Sequence, residues 1–203
     1  NSFFSSFNSS KGFKDENSRL FLYIFVASIP ILFFGLLIKL YWPNYSDSNL
    51  RGLFSIAITS IVMALLLALS EIYGKRNKLF VDINLNDVIK LGLAQSLALF
   101  PGVSRSGITL TSALFSGIER KTAARLSFLV GIPAVSISGL VELFSLFRVL
   151  SVIDIIPIII GIISSFFSSI FAIDLFLKFL SKNNTLVFVY YRLAFGIFIL
   201  TTL

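Results

Sequence analysis

The stretch LGLAQSLALFPGVSRSGITLTSALFSGI, Leu91 to Ile118, is apolar at both ends and broken in the middle by a Pro-Gly pair, an arginine and a cluster of hydroxyls. Its 28 residues are long for one membrane crossing. Pro101 has no backbone donor, and Gly102 and Gly107 are poor helix formers, so a helix here should break near the centre of the stretch. Two arms of about ten residues would each reach only ~15 Å, roughly half the hydrocarbon core. The stretch is either a broken single crossing or a re-entrant hairpin, and the charges flanking it choose between the two.

Its surroundings read as an all-α polytopic membrane protein. At 203 residues, 56% hydrophobic and 15% aromatic, the chain has too little polar surface to cover a water-soluble globule. Leu20 to Ile38 and Ile155 to Ile173 each hold 19 residues without a charge, and Leu53 to Ser70 holds 18, close to the ~20 that a helix needs to cross a bilayer. Strand-like alternation is missing, which favours helices over a barrel. About five spanning helices are expected, near 20–41, 52–73, 124–147, 153–178 and 185–203.

If 91–118 dips in and returns, Lys11, Lys14, Arg19, Lys75, Arg76, Lys78, Lys90, Arg120, Lys121, Arg125, Lys178 and Lys182 share one side. That is 12 cations against 3, Lys39, Arg51 and Arg148. If it crosses, every later loop changes sides and the split becomes 8 against 7. The positive-inside rule selects the hairpin, with the cation-rich side cytoplasmic. Irregular backbone at membrane depth is tolerated only where it lines a cavity or is buried in protein, so PGVSRSG should line one.

Residues 1–203 read as a single membrane domain, with 1–19 a polar cytoplasmic loop. The opening NSFFSSFNSSKGFKDENSR has no apolar run behind basic residues and reads as an interhelical loop whose upstream part is missing, not as a signal peptide. The net charge of +7 reports membrane orientation and headgroup contact, and nucleic acid is not expected as a partner. There is no Cys and no His, so disulfides, thiolate or imidazole metal sites and imidazole acid-base work are all excluded within the chain.

Anion chemistry accounts for each residue of the run. Gly102 and Gly107 allow unusual backbone angles and close ligand approach, so that successive N–H groups can face one oxyanion. Gly107 is expected to open a half-helix ending near Gly117, whose N-terminal dipole favours phosphate. Arg105 offers a fork of donors matched to phosphate oxygens. Ser104, Ser106 and Thr109 add hydroxyl donors, one of which could serve as a nucleophile. A structural alternative treats the hydroxyls as helix-packing contacts and pairs Arg105 with Glu142 or Asp174. It explains the hydroxyls but not the Pro-Gly break. Elsewhere, Asp174 and Lys178 suit a local i,i+4 ion pair, and Glu71 with Lys75 and Arg76 reads as a solvated boundary cluster. ERKTAAR, 119–125, reads as the anchor of the hairpin, and Arg192 lies too deep for easy snorkelling, leaving a structural pairing or a share in the anion cavity.

Gly92 to Leu110, GLAQSLALFPGVSRSGITL, resembles the second signature, PGxSRSxxT, of the undecaprenyl-diphosphatase family, also called bacitracin-resistance or BacA-like proteins. Pro101, Gly102, Ser104, Arg105, Ser106 and Thr109 all match it. RLSFLVGIPA, Arg125 to Ala134, and the pair Tyr191-Arg192 add to the likeness, which runs from about Arg19 to the end. The resemblance implies a multi-pass enzyme of the bacterial inner (plasma) membrane. Its reaction would be hydrolysis of the isoprenoid diphosphate lipid to undecaprenyl phosphate and inorganic phosphate, recycling the carrier for cell-wall synthesis. It also implies an inverted-repeat fold of which this chain holds one half, with pyrophosphate bound by Gly102, Ser104, Arg105, Ser106, Gly107 and Thr109. Arg105, Ser104 and Thr109 are the catalytic candidates. The family's other signature, Glu-rich and followed by a Ser-rich turn and a His, would lie upstream and supply the groups that cut the diphosphate. A divalent cation, Mg²⁺ or Ca²⁺, is a further expectation, with ligands from outside this chain. A carrier or flippase for a phosphorylated lipid or anion remains the alternative, because re-entrant loops are also transporter architecture.

Overall fold

The computed structural model describes residues 16–146 and 155–203. Lys11, Lys14 and Arg148 lie outside the described residues, as does all but the end of the expected loop 1–19. Helix α1 runs Glu16–Tyr41, so the last residues of that loop belong to a helix. It is followed by α2, Leu53–Tyr73, the short pair α3, Leu85–Ser96, and α4, Arg105–Phe115, then α5, Arg120–Leu146, α6, Ile155–Lys182, and α7, Leu186–Thr202. The described residues form an all-α molecule. Four of these helices, α1, α2, α5 and α6, are long and apolar enough to cross a bilayer, and α7 is a shorter apolar helix of 17 residues.

The short pair forms a hairpin whose ends meet. The Lys78 amide donates to the Gly117 carbonyl and the Glu119 amide to the Lys78 carbonyl, both at 2.9 Å. The chain thus leaves this short parallel bridge at Lys78 and returns to it at Ile118. The entering arm starts earlier than expected, at Leu85. Asn84 caps it, its side chain accepting from the Asp87 amide while Asp87 accepts from the Asn84 amide. The returning arm opens at Arg105, two residues before Gly107, because Ser104 is its N-cap and accepts from the Gly107 amide. It stops where expected: the amides of Gly117 and Ile118 bond back to Leu114 and Ala113, and Gly117 takes φ +82°, the glycine-terminated helix ending that satisfies the last carbonyls.

The hairpin also reaches further than half-helices of ten residues would. A 3-10 turn, Leu97–Leu99, lengthens its first arm, and the Tyr45 hydroxyl, in the loop between α1 and α2, donates to the Leu99 carbonyl at 2.7 Å. Burial pushes the Tyr45 phenol up, with Arg51 pulling it the other way, so the group keeps its proton for this bond. Base and tip therefore lie at opposite ends of α2: Gly74 sits beside the Leu114 carbonyl, Gly102 beside the Ile56 carbonyl.

The hairpin is the centre of the molecule. Its first arm packs on α1, and its second lies between α2 and α5, while α7 covers the other side of α2 and α6 rests mainly on α5. Small side chains allow this closeness: Ala27, Ala57, Ala64 and Ala123 are fully buried, and a Cβ on Gly92 would stand 2.7 Å from the Ala27 carbonyl oxygen. Helices in lipid gain no hydrophobic drive from one another and pack through small residues instead. The outer faces are correspondingly apolar: Phe166, Phe167 and Phe171 on α6 are all at least 60% exposed, as suits a surface solvated by hydrocarbon chains.

Glu71 departs from the boundary cluster expected of it. It is only 5% exposed and accepts from Arg76 at 2.6 Å, from Arg120 through Nε at 2.8 Å and through Nη2, and from the Thr185 hydroxyl at 2.8 Å. One carboxylate ties the end of α2 to the hairpin's exit and to the start of α7. The ERKTAAR run does anchor the hairpin, through the Glu119 amide and the Arg120 guanidinium.

Candidate active site

Ser104 takes φ +65°, a region disfavoured for a side-chain-bearing residue, and Gly102 takes φ +87°. These two positions turn the chain from the first arm into the N-terminus of α4. The glycine is needed for a second reason, since a Cβ there would stand 2.7 Å from the Ile56 carbonyl oxygen. Its close approach is to α2, where the sequence suggested a ligand.

Arg192, from α7, holds this turn. Its Nη2 donates to the Gly102 carbonyl at 2.6 Å and its Nη1 to the Val103 carbonyl at 3.0 Å. The guanidinium lies over Gly107, where a Cβ would meet Nη1 at 2.8 Å and Ser104 Oγ at 3.1 Å. Ser104 Oγ, the first amides of α4 and a guanidinium thus converge on one point. Two of five guanidinium donors are used on the carbonyls, which leaves three. Ser104 and Ser106 are exposed there.

Beside this point opens a cavity of about 370 Å³. Gly102, Ser104, Ser106 and Gly107 line it, together with Arg192, the one charged residue of the lining. Arg105 and Thr109 do not line it. Arg105 turns toward α5, where Nη1 donates to the Gly131 carbonyl at 2.5 Å and the guanidinium covers the Gly131 backbone. It pairs neither with Glu142, which is exposed, nor with Asp174, whose carboxylate bonds Lys178 at 2.6 Å in the expected i,i+4 pair. Thr109 is fully buried. Its hydroxyl bonds the Arg105 carbonyl at 2.9 Å and shares a 2.5 Å bond with Ser127, so it fastens α4 to α5. Helical spacing explains this: Ser106 and Leu110, four residues apart, share the face of α4 that lines the cavity, and Arg105 and Thr109, also four apart, share the neighbouring face that meets α5.

The cavity lining carries no carboxylate, and among the described residues no group of three or more Asp or Glu comes together. These residues do not fit a Mg²⁺ or Ca²⁺ ion. The chemistry they offer is that of donors: one guanidinium, two hydroxyls and the amides of a helix N-terminus, all suited to a tetrahedral oxyanion.

Fold and site together define a polytopic helical membrane protein with a donor-lined cavity at the tip of a hairpin that enters and leaves at one end of the helix bundle. The sequence profile of the family Bacitracin resistance protein BacA matches residues 1–198, and the chain belongs to that family. It is 99% identical over its full length to the Undecaprenyl-diphosphatase of Prochlorococcus marinus (strain NATL2A), of which it covers 73%. Similar proteins of the same name in Prochlorococcus marinus (strain MIT 9313) and Trichormus variabilis (strain ATCC 29413 / PCC 7937) are each 50% identical, over 92% and 94% of this chain and 62% and 60% of their own length.

Proposed function

We propose that the chain carries the phosphate-binding half of an undecaprenyl-diphosphate hydrolase, releasing undecaprenyl phosphate and inorganic phosphate. The observation that carries this reading is the convergence of Arg192, Ser104 and the α4 N-terminus at the mouth of a cavity whose far end is apolar. An isoprenoid diphosphate has that polarity, anionic at one end and hydrocarbon at the other. The names of the relatives favour hydrolysis over a carrier or flippase.

In this reading the terminal phosphoryl group sits against the α4 amides and the Ser104 and Ser106 hydroxyls, where its charge is neutralised as the bridging P–O bond breaks. Water supplies the oxygen that ends on phosphorus, and the leaving undecaprenyl phosphate takes the bridging oxygen. Arg105, at the first position of α4, does not line the cavity; with one donor on Gly131, it reaches the diphosphate in this reading only by turning its guanidinium from α5 toward the α4 N-terminus. The nucleophile's activator and the proton donor have no counterpart among the cavity's side chains, and no step is assigned to them. The protein is a multi-pass membrane protein. We place it in the bacterial inner membrane with the hairpin base cytoplasmic, since Lys75, Lys78, Arg120, Lys121 and Lys182 gather at that end.

The test is phosphate release from undecaprenyl diphosphate by the full-length protein in detergent. Arg105→Ala and Ser104→Ala should each lower kcat/KM by about 10²-fold, the usual loss for one oxyanion donor. Unaltered release from Arg105→Ala would remove Arg105 from the site.

A further inference from the structure

Arg192 holds only the outgoing half of the hairpin tip. The incoming half ends in the 3-10 turn Leu97–Leu99, and no amide of the described turn bonds the Leu99 carbonyl: Pro101 carries none, and the Val103 amide goes to the Phe100 carbonyl at 3.3 Å. The Tyr45 hydroxyl satisfies it from outside the hairpin, at 2.7 Å. Tyr45 is itself held in place. Its amide donates to the Trp42 carbonyl at 3.0 Å, and its carbonyl accepts from Ser48 Oγ at 2.7 Å. Its ring meets Trp42 edge-on, with centroids 5.4 Å apart, and the Arg51 guanidinium lies 5.8 Å from the ring centre.

Three carbonyls of the tip, those of Leu99, Gly102 and Val103, are thus bonded by two side chains from outside it, Tyr45 from the loop 42–52 and Arg192 from α7. Directly after them the chain turns at Ser104, with φ +65°. A residue with a side chain keeps such an angle only where its surroundings over-determine it. Ser104 both lines the cavity and caps α4, so the groups that hold the tip also aim the donors.

Resting on the diphosphatase reading, we propose that Tyr45 is a positioning residue of the phosphate site: bonded to Leu99, it acts with Arg192 to hold the turn 101–104 so that Ser104 and the first α4 amides meet the phosphoryl group in its transition state. Tyr45 does not line the cavity, so it acts through the backbone it holds. A bound diphosphate adapts to slightly displaced donors, whereas the transition state needs them in place. Loss of the Tyr45 bond therefore lowers kcat and leaves KM near its original value.

The experiment measures phosphate release from undecaprenyl diphosphate by the full-length protein in detergent, with thermal unfolding alongside. Tyr45→Phe keeps the ring contacts and removes one O–H. It should lower kcat about ten-fold and change KM by less than about two-fold, whereas Tyr41→Phe, which removes an exposed hydroxyl nearby, should change neither. If Tyr45→Phe does not fold, Trp42→Leu, which loosens the ring and keeps the hydroxyl, decides in its place and should lower kcat in the same sense. A bond that served stability alone would lower the unfolding temperature and leave kcat unchanged, and that result overturns the proposal. Since Tyr45 and Arg192 hold one turn, Tyr45→Phe combined with Arg192→Lys should reduce kcat/KM by less than the product of the two single losses. A full product overturns the proposal as well. Absence of phosphate release from the unaltered protein overturns the diphosphatase reading instead. Binding of orthovanadate, whose five-coordinate form mimics phosphoryl transfer, then still reports on the turn: Tyr45→Phe should weaken it about ten-fold relative to inorganic pyrophosphate, and equal weakening of both, or none, would sink the role given to Tyr45.

Discussion

At the scale of single residues, two arginines flank one helix N-terminus, and they do different things. Arg192 binds two consecutive carbonyls of the turn, a geometry that needs a planar fork and that an ammonium on a flexible stem does not reproduce. Arg192→Lys should therefore behave like Arg192→Met: both should raise KM for the diphosphate about ten-fold, in line with the 1.5 to 3 kcal/mol of hydrogen bonds to charged groups. Recovery of normal KM by the lysine variant would show that charge alone matters. Arg105 depends on a neighbour's lack of a side chain. A Cβ on Gly131 would fall inside the Arg105 guanidinium, whereas alanine in mid-helix is intrinsically better than glycine by about 1 kcal/mol. Gly131→Ala should accordingly keep or raise the unfolding temperature while lowering phosphate release. A variant with normal release would mean that the observed place of Arg105 is not the active one. Much of this was legible in PGVSRSGIT, since four of its six expected binding residues line the cavity. The rest was not, because which face of α4 meets α5 and which meets the cavity is fixed by packing.

At the scale of elements, the hairpin is held at both ends by groups outside it. Its base is joined to α2, α5 and α7 through Glu71, and its tip to α7 through Arg192. Glu71→Ala leaves Arg120 and Arg76 facing a buried gap, and loss of one partner of a buried ion network costs about 3 to 5 kcal/mol. The variant should unfold at a markedly lower temperature in detergent, and an unchanged midpoint would contradict the bracing role. The sequence marked Glu71 as a boundary residue because Lys75 and Arg76 follow it. Burial came instead from Arg120 and Thr185, which lie far along the chain and reach it only in the folded molecule. The hairpin arms were legible from Pro101 and the glycines, while the depth of the tip was not. That depth comes from the 3-10 turn at Leu97–Leu99, the early start at Asn84 and the bond from Tyr45.

At the scale of the whole molecule, the hairpin returns to its own starting point, so positions before and after it lie at one end of the helix bundle. The chain has no native cysteine, so single substitutions can be labelled without background. Lys75→Cys and Lys121→Cys should react with an impermeant maleimide from the same side, and Asn44→Cys from the opposite one. Labelling of 75 and 121 from opposite sides would turn the hairpin into a crossing. By itself the sequence determined the membrane class, the helical architecture, the break at Pro101-Gly102 and the side to which cations gather. Each follows from local composition or from a sum over loops, and neither needs three-dimensional contacts. Only the tertiary structure decided that Arg192 faces the cavity, that Arg105 and Thr109 fasten α4 to α5, and that Glu71 is buried. The physical reason is that a guanidinium or hydroxyl takes its role from the carbonyls and side chains packed against it, and those come from helices many residues away.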